Sequence, residues 1–584
     1  MQLFCIWRSM FSHTKTIKKR VTYMYQPDRY LDYQELSQLL QSFATKYPRY
    51  CELASLGTTP EARDIWCCTL TDSESGSASD KPAYWVSGNI HASELTGCQS
   101  ALHTLYRILD GVERDDNRFV NLLREMAIYV VPRISPDGVE ATLAGGFYRS
   151  SNQVYPDAKY PAYYIQDIDG DRVARKLLKV DAGGIWKKSR KDPRILLQRL
   201  PHENDPAETY YNIYPEGKVE GDYQHRYWTR NASGHDYNRN FPSHWRPEHE
   251  QKGAGRYPLS NPETRAIAEF IAAHDNIIGA QDFHTFSAVI LRPGINLSDH
   301  DMPVDDLHIF KALGKVGTDI TGYPCVSICD DFKLNRNENI SGGFIDWLFS
   351  DRGVYPFTNE IWNMFKASGI EVDIKDHIEF IMSALSESDQ QKLLNWCDQH
   401  CEPGYFKDWE PYHHPDLGEV EIGGWDLLQT LWNPPLALLH DEVEKNSEFV
   451  IAMMEACPRV VINRAETQKL ADHLTRVTIE LQNTGYLPTR GNSTARTSQS
   501  ARFPSLRVTL PESACQIRSG EPFQKIEHLE GRSRIEPVTS QLWDINPAQP
   551  TDRAVFEWVI EGSGEVLFEF DYVKGGIHRK IIKI

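Results

Sequence analysis

No stretch of the 584 residues approaches the 18 or more consecutive apolar residues that a membrane-spanning helix needs, and the N-terminal "MQLFCIW" is too short for the apolar core of a signal peptide. Both absences lead to the expectation of a soluble, cytoplasmic protein. Positive charge is the scarcer sign: 63 Lys and Arg stand against 81 Asp and Glu, a formal net charge of -18. That balance excludes nucleic acid and anionic membrane as partners, because such binding rests on clustered Lys and Arg. The one basic cluster, "KTIKKR" at 15–20, reads as a solvated tail. Internal repeats and long low-complexity tracts are missing too, which removes solenoids and disordered linkers. The 11 cysteines are odd in number and lie partly in apolar runs, so they read as reduced thiols rather than a disulfide framework. Cys397 and Cys401, with His400 between, lack the second Cys pair of a zinc ribbon.

What is present is patterned. The length exceeds what one core usually supports, so two folded units are expected. Residues 1–23 form an N-terminal extension, and Met24 is a candidate natural start. From 24 to about 465 helical and strand-like segments alternate, the mark of an α/β architecture with a mixed, mostly parallel sheet flanked by helices. "AYWVSGN" and "IIGAQDF" read as buried strands, "MAIYVVPRI" as a strand ending in the turn "SPDG", and "GVYPFTNEIW" as a fourth. Residues 143–235 break the pattern and read as an insertion over a binding face, with short strands and turns of its own. From 470 to 584 the period becomes two, which predicts a small C-terminal β-sandwich.

Chemistry gathers at the strand ends. His91 and Glu94 stand three apart just after one buried strand, and His284 ends another. Ligand sites of open α/β sheets form at the carboxyl ends of strands. Two histidines and a carboxylate suit a catalytic zinc ion with its fourth position open to water. Glu360, on the fourth strand, is placed to act as general base. Asn238 and Arg239 in "DYNRNFP" offer an amide and a guanidinium fork, equipment for gripping a carboxylate.

In "HASE", "SPDG", "DYNRNF", "FHTFSAVILRP" and above all "ISGGFIDWLFSDRGVYPFTNEIW" the chain resembles the zinc carboxypeptidases of the carboxypeptidase A type over roughly residues 30–370. The resemblance implies one zinc ion held by His91, Glu94 and His284, with Glu360 as general base and then general acid. It implies a substrate carboxylate held by Asn238 and Arg239, and Ile345 at the base of the pocket for the last side chain, where an apolar residue disfavours basic ones. It further implies an arginine that stabilises the oxyanion, for which Arg149 is the first candidate and Arg190 and Arg194 the alternatives. Glu338 stands where many members carry a substrate-closing tyrosine, with Lys333 and Arg336 in the same loop. His413 and His414 read as structural.

The function expected is zinc-dependent removal of a C-terminal residue from peptides or peptide-like substrates with a free carboxylate. Two alternatives stay open: a zinc amidohydrolase of N-acyl amino acids or cell-wall-type peptides, and a non-catalytic scaffold that retains the fold. The protein partner of the sandwich is not defined by the sequence.

Overall fold

The computed structural model describes residues 25–145, 150–152, 162–220, 229–230, 234–332, 340–373, 376, 380, 383–494, 502–511, 514–534 and 551–584. Its centre is an eight-stranded mixed sheet, in the spatial order Cys51–Thr58, Asp64–Leu70, Ala127–Val131, Ala83–Gly88, Ile277–Thr285, Tyr355–Ile361, Val289–Arg292 and Cys325–Ser327. The four middle strands run parallel, and antiparallel pairs flank them.

Every residue of Ala83–Gly88 is buried, because helices cover both faces of the sheet. Tyr84 and Val86 enter one core with Leu102 and Leu105 of the helix Leu95–Glu113, while Ala83 and Trp85 enter the other with Ile267 and Ile271 of the helix Pro262–Ala273. Alternation along one strand thus feeds two cores. That is why the sequence shows a continuous apolar run there.

Two local readings change. "SPDG" is the start of a helix, Pro136–Gly145, with proline at its first position, where a missing N–H costs nothing. The pattern-poor stretch after residue 143 contributes strands Lys176–Val180, Trp186–Lys188, Leu196–Gln198 and Tyr211–Pro215 to a six-stranded sheet. That sheet is completed by Phe406–His414 and Gly418–Trp425, more than 190 positions further along. Strands of three to five residues, of which Lys176–Val180 joins the distant hairpin, carry little periodicity of their own.

The C-terminal residues form two four-stranded sheets closing on one core that includes Val477, Ile479, Trp558, Phe568 and Phe570. Every cysteine among the described residues is free. Among the described residues no helix is long and apolar enough to cross a membrane.

Candidate metal centre

The parallel register puts His284 beside Glu360 and Phe283 beside Gly88, so two strand ends and the loop after a third meet at one edge of the sheet. The chain leaves Ala83–Gly88 and reaches Glu94, the residue that opens the helix Leu95–Glu113. His91, Glu94 and His284 come together there, with ligand atoms all within 4.8 Å of one another. Glu94 and His284 are almost wholly buried.

Each imidazole is held from behind by a carboxylate. Nε2 of His91 lies 3.1 Å from Oδ1 of Asp236, and Nε2 of His284 lies 2.8 Å from Oδ2 of Asp282. Asp282 in turn accepts from the hydroxyl of Ser87 at 2.6 Å. With the Nε2 protons given to these carboxylates, both Nδ1 atoms present lone pairs toward Glu94, at 2.9 Å from Oε1 and 3.0 Å from Oε2. Three electron-pair donors aimed at one another in a dry site repel unless a cation stands between them. The donor set therefore fits a zinc ion, which with bonds of about 2.0–2.2 Å reaches all three.

The same logic appears in the acid–base behaviour of these groups. Burial draws the His284 pKa down, but Glu94 and Asp282 overcome it and hold it up at about 10. Burial likewise opposes protonation of His91, and Glu94 with Asp236 raises it well above the usual histidine range. Positive charge is wanted at this spot. Burial pushes Glu360 up to about 8, against the favourable field of His284.

Asn238 and Arg239 sit in a short 3-10 turn capped by Asp236, whose Oδ1 accepts from the Asn238 amide at 2.9 Å. The Asn238 side-chain oxygen accepts from the amide of Phe344, tying this turn to the start of the helix Phe344–Arg352. Arg239 donates to the Asn238 carbonyl at 2.8 Å. Ile345 is buried on that helix. An adjoining cavity of about 400 Å³ is lined instead by its neighbours Asp346, Phe349 and Ser350, with Ile295 and His244. Oδ1 of Asp346 accepts from the amides of Gly294 and Ile295, and burial raises its pKa.

Arg149, Glu338, Lys333 and Arg336 lie outside the described residues. Arg190 pairs with Glu208, and Arg194 with Asp192 and Asp398. His413 pairs with Glu419 on the surface, and the buried His414 meets the carbonyl of Gly217 at 2.6 Å.

Sequence reading missed Asp282 and Asp236 as partners of the histidines. Period two within "DFH" puts Asp282 on the face of His284 and was the available signal. It also missed an acidic group of Asp167, Asp169 and Glu216, where the Lys407 ammonium already lies 2.7 Å from Asp169.

A buried two-histidine, one-carboxylate centre at the carboxyl edge of a mixed α/β sheet defines a candidate metallohydrolase. The zinc carboxypeptidase profile matches residues 36–379, and the chain belongs to that family. A domain of unknown function matches residues 459–583. Among relatives, a zinc carboxypeptidase of Saccharothrix mutabilis subsp. capreolus is 29% identical over 121 residues, 21% of this chain and 27% of that protein. Carboxypeptidase A4 of Mus musculus is 20% identical over 325 residues, 55% of this chain and 60% of its own length. The chain thus spans less than two thirds of either relative. The crystal structure of thrombin activatable fibrinolysis inhibitor superposes with a TM-score of 0.39 at 19% identity, covering 66% of this chain and 77% of that one.

Proposed function

We propose that the chain is a zinc-dependent carboxypeptidase that hydrolyses the last peptide bond of substrates with a free C-terminal carboxylate. The observation that carries this reading is the convergence of His91 Nδ1, His284 Nδ1 and Glu94 on one point, beside Glu360. Membership of the zinc carboxypeptidase family supports it.

Bound zinc supplies a Lewis acid that lowers the pKa of a coordinated water toward 7 and polarises the scissile carbonyl. Glu360 receives the proton of the attacking water and returns it to the departing amine. Burial disfavours its charged form, so the proton it accepts is retained until the more basic amine takes it. Arg239 and Asn238 grip the substrate carboxylate and fix which bond lies over Glu360. Asp236 and Asp282 keep Nδ1 of each histidine free for the metal.

The test is zinc content and amino-acid release from a mixed peptide library, on wild type, His91→Ala and Glu360→Gln. One zinc per chain is expected in wild type and Glu360→Gln and is lost in His91→Ala, with release abolished in both variants. Zinc bound by wild type without release of any amino acid would overturn the peptide assignment, and absence of bound zinc would overturn the metal centre.

A further inference from the structure

Glu94 stands at a helix N-cap, its carbonyl accepting from the Gly97 amide at 3.0 Å, yet its side chain does none of the capping. Its side chain makes no capping hydrogen bond to the helix Leu95–Glu113, because both carboxylate oxygens face the two histidines. A helix start leaves amides unsatisfied, and a buried one without an acceptor is costly. The amide of Thr96, second in this helix, is the group that an N-cap side chain would ordinarily satisfy. Here the acceptor comes from 337 positions away: Oδ1 of Asn433 receives both the Thr96 amide and the Thr96 hydroxyl, each at 2.9 Å.

Asn433 is fully buried, and its whole hydrogen-bonding capacity is used. Its Nδ2 donates to the carbonyl of Ser93, the residue before Glu94, at 2.7 Å and to that of Leu428 at 2.9 Å. It follows directly on a π-helical turn, Leu428–Trp432, that touches the other elements of the centre. The Thr430 carbonyl accepts from the Trp362 indole at 2.7 Å, two residues beyond Glu360. The Trp432 ring lies 4.9 Å from that of Phe286, two residues beyond His284. π-turns recur at functional sites. Asn433 and the turn Leu428–Trp432 lie outside residues 36–379, the span of the family match.

We infer that Asn433 is a surrogate N-cap, a positioning residue that takes over the capping of the helix Leu95–Glu113 and so leaves the Glu94 carboxylate free for the metal. Without it, the buried amides of the helix start lack an acceptor, and the Glu94 carboxylate is drawn toward them and away from His91 and His284. The inference rests on the metal reading of the site, and its test separates the two.

Zinc release to a chelator is followed for wild type, Asn433→Ala and Asn433→Asp, alongside thermal unfolding and kcat and KM. Asp keeps the acceptor for Thr96, whereas Ala removes it. Release about 10–100-fold faster in Asn433→Ala, with kcat lowered and KM nearly unchanged, and with most of the retention restored in Asn433→Asp, is the expected result. Release at the wild-type rate in Asn433→Ala, or equal loss in both variants, would overturn the inference. Should Asn433→Ala not fold, hydrogen exchange of wild type with and without zinc decides the same point. Protection of the Thr96 amide that persists after zinc removal is expected, and free exchange in both forms overturns the surrogate cap. A wild type that never binds zinc removes the metal reading instead, while the exchange measurement still reports on the cap.

Discussion

Asp282 is buried and shared between Ser87 Oγ and His284 Nε2. Asp282→Asn preserves shape but exchanges a charged acceptor for an amide, so His284 loses the partner that fixes its tautomer. Zinc affinity should fall by about 10–100-fold in a competition titration, with the fold intact by circular dichroism. Retention of wild-type affinity would show that the strand alone orients the ring. Glu263 offers a different test. It is 1% exposed at the start of the helix Pro262–Ala273, and burial pushes its pKa up to about 7. Between about 4.5 and 7 the folded chain therefore holds a proton that the unfolded chain has released, and stability falls as pH rises through that window. Glu263→Gln should remove the slope and leave the variant more stable than wild type above pH 7, by on the order of 3 kcal/mol. Urea unfolding at pH 5 and pH 8 measures it, and an equal difference at both would contradict the buried-carboxyl account.

At the scale of elements, the centre depends on how closely one helix lies against the sheet. A Cβ built on Gly97 would come within 2.6 Å of the Phe283 carbonyl, and one on Gly88 within 2.5 Å of the Gly97 backbone. The helix Leu95–Glu113 thus meets the strands Ala83–Gly88 and Ile277–Thr285 backbone to backbone. Gly97→Ala has to lift the helix start, and with it Glu94, away from His284. We expect a cost of about 1–3 kcal/mol in unfolding free energy together with lower zinc occupancy. Full occupancy with an unchanged midpoint would show that the contact relaxes without reaching the centre. These elements were legible in the sequence because burial on both faces writes itself as apolar runs, and because "HASE", "DFH" and "TNE" fall where those runs end. The six-stranded sheet was not legible. Trp186–Lys188 and Leu196–Gln198 are three residues long and pair with each other at one edge, while Lys176–Val180 takes its partner from the distant strand Gly418–Trp425. Asn433 carried no signal at all, since one asparagine in "LWNPP" announces nothing about a helix 337 residues earlier.

Across the whole molecule, the C-terminal sandwich grips the central sheet at the end opposite His284 and Glu360. Nδ2 of Asn492 donates to the carbonyls of Phe349 and Val354, just before the strand that carries Glu360. The Lys574 ammonium donates to the carbonyl of Ile277, the first residue of the strand that carries His284, at 2.6 Å. The two adjacent strands that end in Glu360 and His284 are therefore both anchored at their starts from a second fold. Lys574 is buried, and burial pulls its pKa down to about 7. The unfolded chain keeps that proton up to about 10.5, so between about 7 and 10.5 it binds more protons than the folded chain, and stability from this group rises with pH. A neutral amine still donates to Ile277, so the contact itself survives the titration. Lys574→Met removes both the contact and the slope. The stability of wild type relative to Lys574→Met should therefore grow from pH 7 to pH 9.5, by at most about 1.4 kcal/mol per pH unit. Unfolding by urea at the two pH values measures the difference. A constant difference would mean that Lys574 keeps its proton throughout and that the sandwich is held by a permanently charged anchor.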